Sequence, residues 1–300
     1  MLPYGIYPAS VTPFTQQGKP DWTSLARLLA WFEASGCQGV VLAGTNGEGP
    51  SLSAVEKRDM VRQAMGIKGN LEIILGISTP SLDEAIWLCR QAAQSSASAV
   101  LLMAPNYFRS ASEDGIRRWF VEVLDASPVP VILYNFPKMA GFSISAPFLS
   151  SVIEHQNAIG VKDSSGERSN LAEFRSVVPA SKMLFVGDET LLLEALQAGW
   201  SGSISGAANV VPQWLAGIME AWKCEAFEAA ESRFKILEPV LQRIRASQQP
   251  ATHKAVLQHW RMIESNTPRL PLFPADRVEL EALEKVMEEA LGITVENLGI

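Results

Sequence analysis

The sequence predicts a closed (β/α)8 TIM barrel, an α/β fold, followed by a C-terminal helical appendix. Eight short apolar runs recur at roughly thirty-residue spacing, the span of one βα unit. Segments with helical periodicity lie between them, several opening on helix-start signals. The chain is 300 residues long with 47% hydrophobic content, enough for one barrel-sized core. An open doubly wound sheet is the alternative, but no G-x-G-x-x-G turn follows the first run.

The predicted strands, in order, begin with Ile6–Thr12, Gly39–Ala43, Glu72–Ile77 and Ala99–Ala104. Val129–Tyr134, Ala158–Lys162, Met183–Val186 and Gly202–Ser205 complete the set. Most are apolar on both faces, as strands of a parallel sheet covered on both sides must be. Between them, Ser53-Ala-Val-Glu56 and Ser81-Leu-Asp-Glu84 fit the capping-box pattern, which satisfies free backbone donors at a helix start. Leu25, Leu28, Leu29 and Phe32 share one face of the first helix.

From about Pro212 the strand signal stops. Trp214–Trp222, Cys224–Ser247, Thr252–Ser265 and Ala275–Leu291 read as helices, punctuated by Pro239, Pro250 and the Pro268–Pro274 stretch. The expected division is a barrel over residues 1–222 and a packed helical region over 223–300.

A net charge of −7 argues against nucleic acid or an anionic membrane as partner, since either wants a basic face. No run reaches the ~20 apolar residues of a membrane span, and the N-terminus lacks the features of a signal peptide. Cys37, Cys89 and Cys224 are far apart and odd in number, so they are expected to be free core thiols of a cytoplasmic protein. His155 is isolated, and His253 and His259 fall on roughly opposite faces of one helix. No metal-ligand cluster emerges, and no metal or other cofactor is expected.

In such a barrel the working residues stand at the C-terminal ends of the strands, where the βα loops form the open face. Strand six ends on Lys162, followed by the turn Asp163-Ser-Ser-Gly166. A solvated lysine opening a loop is the ordinary reading of such a residue. At the rim of a packed barrel, however, partial desolvation disfavours the ammonium form and favours a free amine that attacks a carbonyl. Strand two is followed by Gly44-Thr-Asn-Gly-Glu-Gly49, whose three glycines permit a turn with converging backbone N–H groups, a cradle for a small carboxylate. Strands four and five end near Tyr107 and on Tyr134. Amine, two phenols and a hydroxyl are thus expected around one pocket.

The loop Gly44–Glu48, the turn Tyr134-Asn-Phe-Pro137 and the strand end Gly160-Val-Lys-Asp163 resemble the signature segments of the dihydrodipicolinate synthase / N-acetylneuraminate lyase family. The similarity runs in register from about Tyr4 to Val211 and more loosely beyond. It implies a class I lyase or aldolase in which Lys162 forms an imine with pyruvate or another 2-oxo acid. Tyr134 would be the proton shuttle. Thr45 would link that phenol to Tyr107, which in the family often reaches in from a neighbouring subunit of a homodimer or homotetramer. The backbone at Thr45 and Asn46 would hold the pyruvate carboxylate, and the Ile204 carbonyl would border the site. Gly187 and Gly206, after strands seven and eight, belong to the expected substrate-binding set.

Departures from the family pattern bear on the second substrate. Dihydrodipicolinate synthases carry, on the tyrosine turn, an arginine that grips the carboxylate of the aldehyde. Met139 stands there, with Lys138 one step earlier. A methionine offers no donor and a lysine no bidentate fork. The acids and serine expected of sialic-acid lyases are matched incompletely by Gly187-Asp-Glu-Thr190 and Ser205-Gly-Ala-Ala208. The pattern looks more like aldolases for 2-keto-3-deoxy sugar acids or 4-hydroxy-2-oxoglutarate. The alternatives are condensation of pyruvate with aspartate semialdehyde, sialic-acid cleavage, and a barrel that binds an oxo acid without turnover.

Overall fold

A computed structural model of the protein describes residues 2–294. The last six residues of the expected 223–300 region lie outside the described residues. Eight parallel strands form the sheet: β1 (Gly5–Pro8), β2 (Gly39–Leu42), β3 (Glu72–Ile77), β4 (Ala99–Met103), β5 (Val131–Asn135), β6 (Ala158–Asp163), β7 (Met183–Val186) and β8 (Gly202–Ser205). Their order is β1-β8-β7-β6-β5-β4-β3-β2. A parallel bridge between Ala9 and Val41, with Ser10 N–H donating to the Val41 carbonyl at 3.0 Å, brings the two ends together. The barrel predicted from the spacing of apolar runs is therefore present. The first strand is shorter than Ile6–Thr12, since pairing with β8 ends at Pro8 opposite Ser205.

Helices return the chain from strand to strand. They are α1 (Trp22–Ala34), α2 (Ala54–Ile67), α3 (Leu82–Gln94), α4 (Glu113–Ala126), a one-turn α5 (Pro137–Ala140), α6 (Ala146–Ile153), α7 (Ser169–Val177), α8 (Leu192–Gln197) and α9 (Pro212–Lys223). The apolar stripe of α1 is buried against the sheet, with Leu28, Leu29 and Phe32 at zero exposure. Ser53 closes a complete capping box with Glu56. At Ser81 the box is half made. Its hydroxyl accepts from Glu84 N–H, but the Glu84 carboxylate instead takes the Thr79 hydroxyl at 2.9 Å.

Beyond the barrel strands come α10 (Phe227–Arg245), α11 (Ala251–His259) and α12 (Arg277–Leu291). Helix α10 packs on α9 and α12, and it runs through Pro239 rather than breaking there. The helix expected over Thr252–Ser265 ends at His259. Arg261 adopts a left-handed φ of 59°, and Met262 N–H returns to the Leu257 carbonyl at 2.8 Å, a closing pattern that satisfies the terminal carbonyls. Cys37 and Cys89 are buried as expected, whereas Cys224 is exposed just past the end of α9. Among the described residues no helix is long and apolar enough to cross a membrane.

Candidate active site

At the C-terminal mouth of the barrel lies a cavity of about 320 Å³. Its floor and near wall come from strand ends. Tyr134 and Lys162 are register partners on β5 and β6, so their side chains leave neighbouring strands at the same height. The Lys162 Nζ donates to Tyr134 Oη at 3.4 Å and lies 4.4 Å from the ring centroid. Both residues are 5% exposed. Lys162 makes no ion pair among the described residues. Its amine is thus held at the cavity by a phenol rather than tied to a carboxylate.

The strand ends that carry this pair are locked by the residues that follow. Asn135 and Asp163 are the next register partners, and the Asn135 amide donates to Asp163 Oδ1 at 2.7 Å. The same carboxylate accepts from Ser165 N–H, the Ser165 hydroxyl and Asn170, while Asn135 Oδ1 accepts from Ile144 N–H. Burial pushes the Asp163 carboxyl above its usual range, and these bonds oppose the shift. Gly187, after β7, makes room for the lysine stem. A Cβ there would stand 2.0 Å from Ser164 Oγ and 2.8 Å from Lys162 Cε.

The glycine-rich loop after β2 forms another wall. Ala43 and Glu48 take left-handed φ values of 54° and 55°, and the turn closes through Gly49 N–H on the Gly44 carbonyl at 2.9 Å. A Cβ at Gly49 would stand 2.0 Å from the Ala43 carbonyl oxygen, so this tight return needs glycine. Among the described residues, the backbone N–H groups of Thr45 and Asn46 find no protein acceptor, although both residues line the cavity. Converging N–H donors of this kind suit an anion. The Thr45 hydroxyl lies 3.5 Å from Tyr134 Oη.

The loop is fastened from behind by the C-terminal helices. Glu48, without side-chain exposure, pairs with Lys254 of α11, equally buried, and its other oxygen accepts Arg269 N–H at 2.7 Å. Lys254 also lies 4.1 Å from the Phe14 ring centroid. Burial pushes its amine down to about 8 against the pull of Glu48. Arg269 in turn grips Glu56 through both carboxylate oxygens, which holds that carboxyl down to about 2.

Of the residues singled out from sequence, Lys162, Tyr134, Thr45, Asn46, Lys138, Met139, Gly187 and Gly206 all line the cavity. Ile204 does not: it is fully buried within β8. Tyr107 is 75% exposed and stacks edge-on against Phe108 at 5.2 Å, so this single chain does not bring it to Thr45. Sequence reasoning missed Arg245, Ser247 and Gln249 of the lining and named Glu189 only within Gly187-Asp-Glu-Thr190. Glu189 receives the Ser205 hydroxyl at 2.7 Å and Ala207 N–H at 2.9 Å. Arg245 is the last residue of α10, and Ser247 and Gln249 come from the segment joining it to α11. No contiguous motif surrounds those three; only their position after an arginine-ended helix marks them. Among the described residues, no group of three or more His, Cys, Asp or Glu side chains is placed to hold a metal ion.

A parallel (β/α)8 barrel with a buried lysine and a phenol at its mouth, beside unspent backbone N–H donors, is the setting in which the family comparison places an enzyme of the lyase class. The chain belongs to the dihydrodipicolinate synthetase family, whose description matches residues 2–290. A 4-hydroxy-tetrahydrodipicolinate synthase from Synechococcus sp. is 29% identical over 297 residues, covering 98% of this chain and 95% of that protein. The enzyme of that name from Methylacidiphilum fumariolicum SolV superposes with a TM-score of 0.90 at 28% identity, covering 98% and 99% of the two chains. The chloride-inhibited dihydrodipicolinate synthase from Acinetobacter baumannii, solved with pyruvate, superposes with a TM-score of 0.92 at 26% identity, covering 98% and 100%.

Proposed function

We propose that this lyase makes or breaks a carbon–carbon bond through an imine between Lys162 and pyruvate or another 2-oxo acid. The observation that carries the reading is the Lys162 amine, buried at the cavity, paired with no carboxylate among the described residues and 3.4 Å from the Tyr134 phenol. In the cleavage direction Nζ adds to the C2 carbonyl of the 2-oxo acid; Tyr134 then gives its proton to the carbinolamine hydroxyl, which leaves as water, so that a protonated imine and the Tyr134 phenolate remain. The C4 hydroxyl gives up its proton to the phenolate of Tyr134, the C3–C4 bond breaks, and the aldehyde departs. The bonding pair enters the imine as an enamine, which takes a proton at C3. Water then hydrolyses the pyruvate imine and restores the lysine. The unused N–H groups of Thr45 and Asn46 hold the C1 carboxylate, and the Thr45 hydroxyl links Tyr134 onward to a proton relay. No metal or other cofactor enters these steps.

The substrate is a 2-keto-3-deoxy sugar acid or 4-hydroxy-2-oxoglutarate. This assignment is supported by Met139, which lines the cavity where family members that use aspartate semialdehyde carry an arginine. The relatives' shared name favours the second reading, condensation of pyruvate with aspartate semialdehyde. Sialic-acid cleavage finds less support, since Asp188 and Glu189 are already engaged by Arg245 and by Ser205. The exposed Tyr107–Phe108 pair supports assembly as a homodimer or homotetramer, with Tyr107 entering a neighbour's site.

Incubation with pyruvate and borohydride is expected to add one pyruvate-derived mass at Lys162. No adduct, or one on Lys138, removes the imine mechanism and leaves an oxo-acid-binding barrel. A pyruvate-release screen over the candidate acids, run beside condensation with aspartate semialdehyde, then separates the substrates.

A further inference from the structure

The cavity has a cationic wall that the proposed chemistry at Lys162 does not use. Arg245 ends α10, and its Nη1 lies 2.8 Å from Asp188 Oδ2. Asp188 is 5% exposed in its side chain and is itself fixed, since Oδ1 accepts Thr190 N–H and the Thr190 hydroxyl. Arg245 therefore leans on a buried carboxylate, yet its own side chain is 48% exposed. Among the described residues no second acceptor engages this guanidinium, so most of its N–H donors are unspent.

The position of that fork follows from the chain. Gly187 underlies the Lys162 stem, and Asp188, the anchor of Arg245, is the next residue. The segment carrying the wall is stiff. Ser247 Oγ and Gln249 Nε2 both donate to the Ile244 carbonyl, at 2.7 and 3.0 Å. A Cβ at Gly206 would stand 2.8 Å from Gln249 Oε1 and 2.6 Å from Asn46 Nδ2, so this wall closes onto the loop after β2. Lys138, on the tyrosine turn, adds a second cation to the lining, and Glu189 is the one carboxylate among the lining residues described.

We propose that Arg245 binds an anionic group at the far end of the substrate, the end that leaves as the aldehyde. The substrate class is then a 4-hydroxy-2-oxo acid with a second carboxylate, and the aldehyde is itself a carboxylate. A guanidinium braced on one side by a buried acid presents its other N–H edge in a fixed plane, the geometry that grips a carboxylate through two bonds. Met139 offers no donor to the cavity, whereas Arg245 offers a guanidinium to it. This assignment rests on the imine reading above.

The test compares pyruvate release from 4-hydroxy-2-oxoglutarate, which ends in a carboxylate, with release from 2-keto-3-deoxygluconate, which ends in a neutral hydroxymethyl group. For the unaltered protein, kcat/KM is expected to favour the diacid, and rising salt to erode that preference. Arg245→Gln is expected to lower the diacid-to-monoacid ratio at least tenfold, and Arg245→Lys to lower it less. A wild-type preference for the monoacid overturns the assignment without any variant, as does a ratio that moves less than twofold in Arg245→Gln. Borohydride trapping of pyruvate on the unaltered protein keeps the two proposals apart. If no pyruvate is trapped, the imine reading falls and this one with it. If pyruvate is trapped and the ratio does not move, only the role of Arg245 is lost. Condensation with glyoxylate or with aspartate semialdehyde then shows which carboxylate-bearing aldehyde is preferred.

Discussion

Lys162 and Tyr134 face each other across one rung of the β5–β6 ladder, and the next rung, Asn135–Asp163, is latched by a 2.7 Å side-chain hydrogen bond. A buried polar latch one residue beyond the lysine–tyrosine pair fixes the relative height of the two strands. A slip of one residue would send each side chain to the opposite face of the sheet. The amine-to-phenol distance is thus set by backbone register rather than by the side chains alone.

Tyr134→Phe removes the only hydrogen-bond partner of the Lys162 amine among the described residues, and the proposed proton carrier. Turnover is expected to fall by ~10²-fold or more, while pyruvate still binds and is trapped by borohydride. Steady-state kinetics beside a trapping assay checks this, and undiminished turnover assigns the proton to another group.

Met139→Arg introduces a second guanidinium into the cavity lining beside that of Arg245. Preference for aldehydes with a carboxylate over neutral ones is expected to rise. Competition between the two classes of aldehyde in condensation with pyruvate measures it. An unmoved preference would place residue 139 outside the acceptor's reach.

Gly187→Ala puts a methyl group where Ser164 Oγ and Lys162 Cε now stand. Ser164 can rotate away, but the lysine stem must tilt off its line to the cavity. The rate of pyruvate trapping is expected to drop at least tenfold, in keeping with the cost of misplacing a reacting atom. The urea midpoint should change little. Trapping at the wild-type rate would show that the stem tolerates the shift.

Lys254→Met leaves Glu48 buried with its ammonium partner gone. Loss of one member of a buried pair costs about 3–5 kcal/mol, read as a lower urea midpoint at constant slope. Adding Glu48→Gln is expected to recover part of that loss, since the orphaned charge is removed. A double variant no more stable than Lys254→Met alone would show that the pair is not what holds the loop.

His253 is fully buried in α11, with no hydrogen-bond partner on either ring nitrogen among the described residues, and burial pushes it from 6.5 down to about 4. The unfolded chain therefore takes up this proton first as the solution is acidified. The contribution to stability is present above about pH 6.5 and is lost progressively as pH falls toward 4. Over that window it amounts to on the order of 3 kcal/mol. His253→Leu is expected to flatten the decline, which denaturation curves at a series of pH values would reveal. An equally steep decline in the variant assigns it to the carboxylates.

The strands, the first helices of the barrel and the lysine at the end of β6 were legible in the sequence because each is a local signal. A buried parallel strand is a contiguous apolar run, a helix start is a hydroxyl three residues before a glutamate, and Lys162 sits at the end of such a run. The motifs also identified Tyr134 and the loop around Thr45, as contiguous segments. Only tertiary structure decided what faces what. Glu48 and Arg269 are 221 residues apart in the chain and 2.7 Å apart in space. Arg245, Ser247 and Gln249 reach the cavity because α10 packs on α9 and turns its C-terminal end to the barrel mouth. Tyr107 points outward because the ladder ends at Met103 and the following loop leaves the rim. Local propensity and periodicity are written in neighbouring residues. The convergence of distant ones depends on how the barrel closes, and no short window of sequence records that.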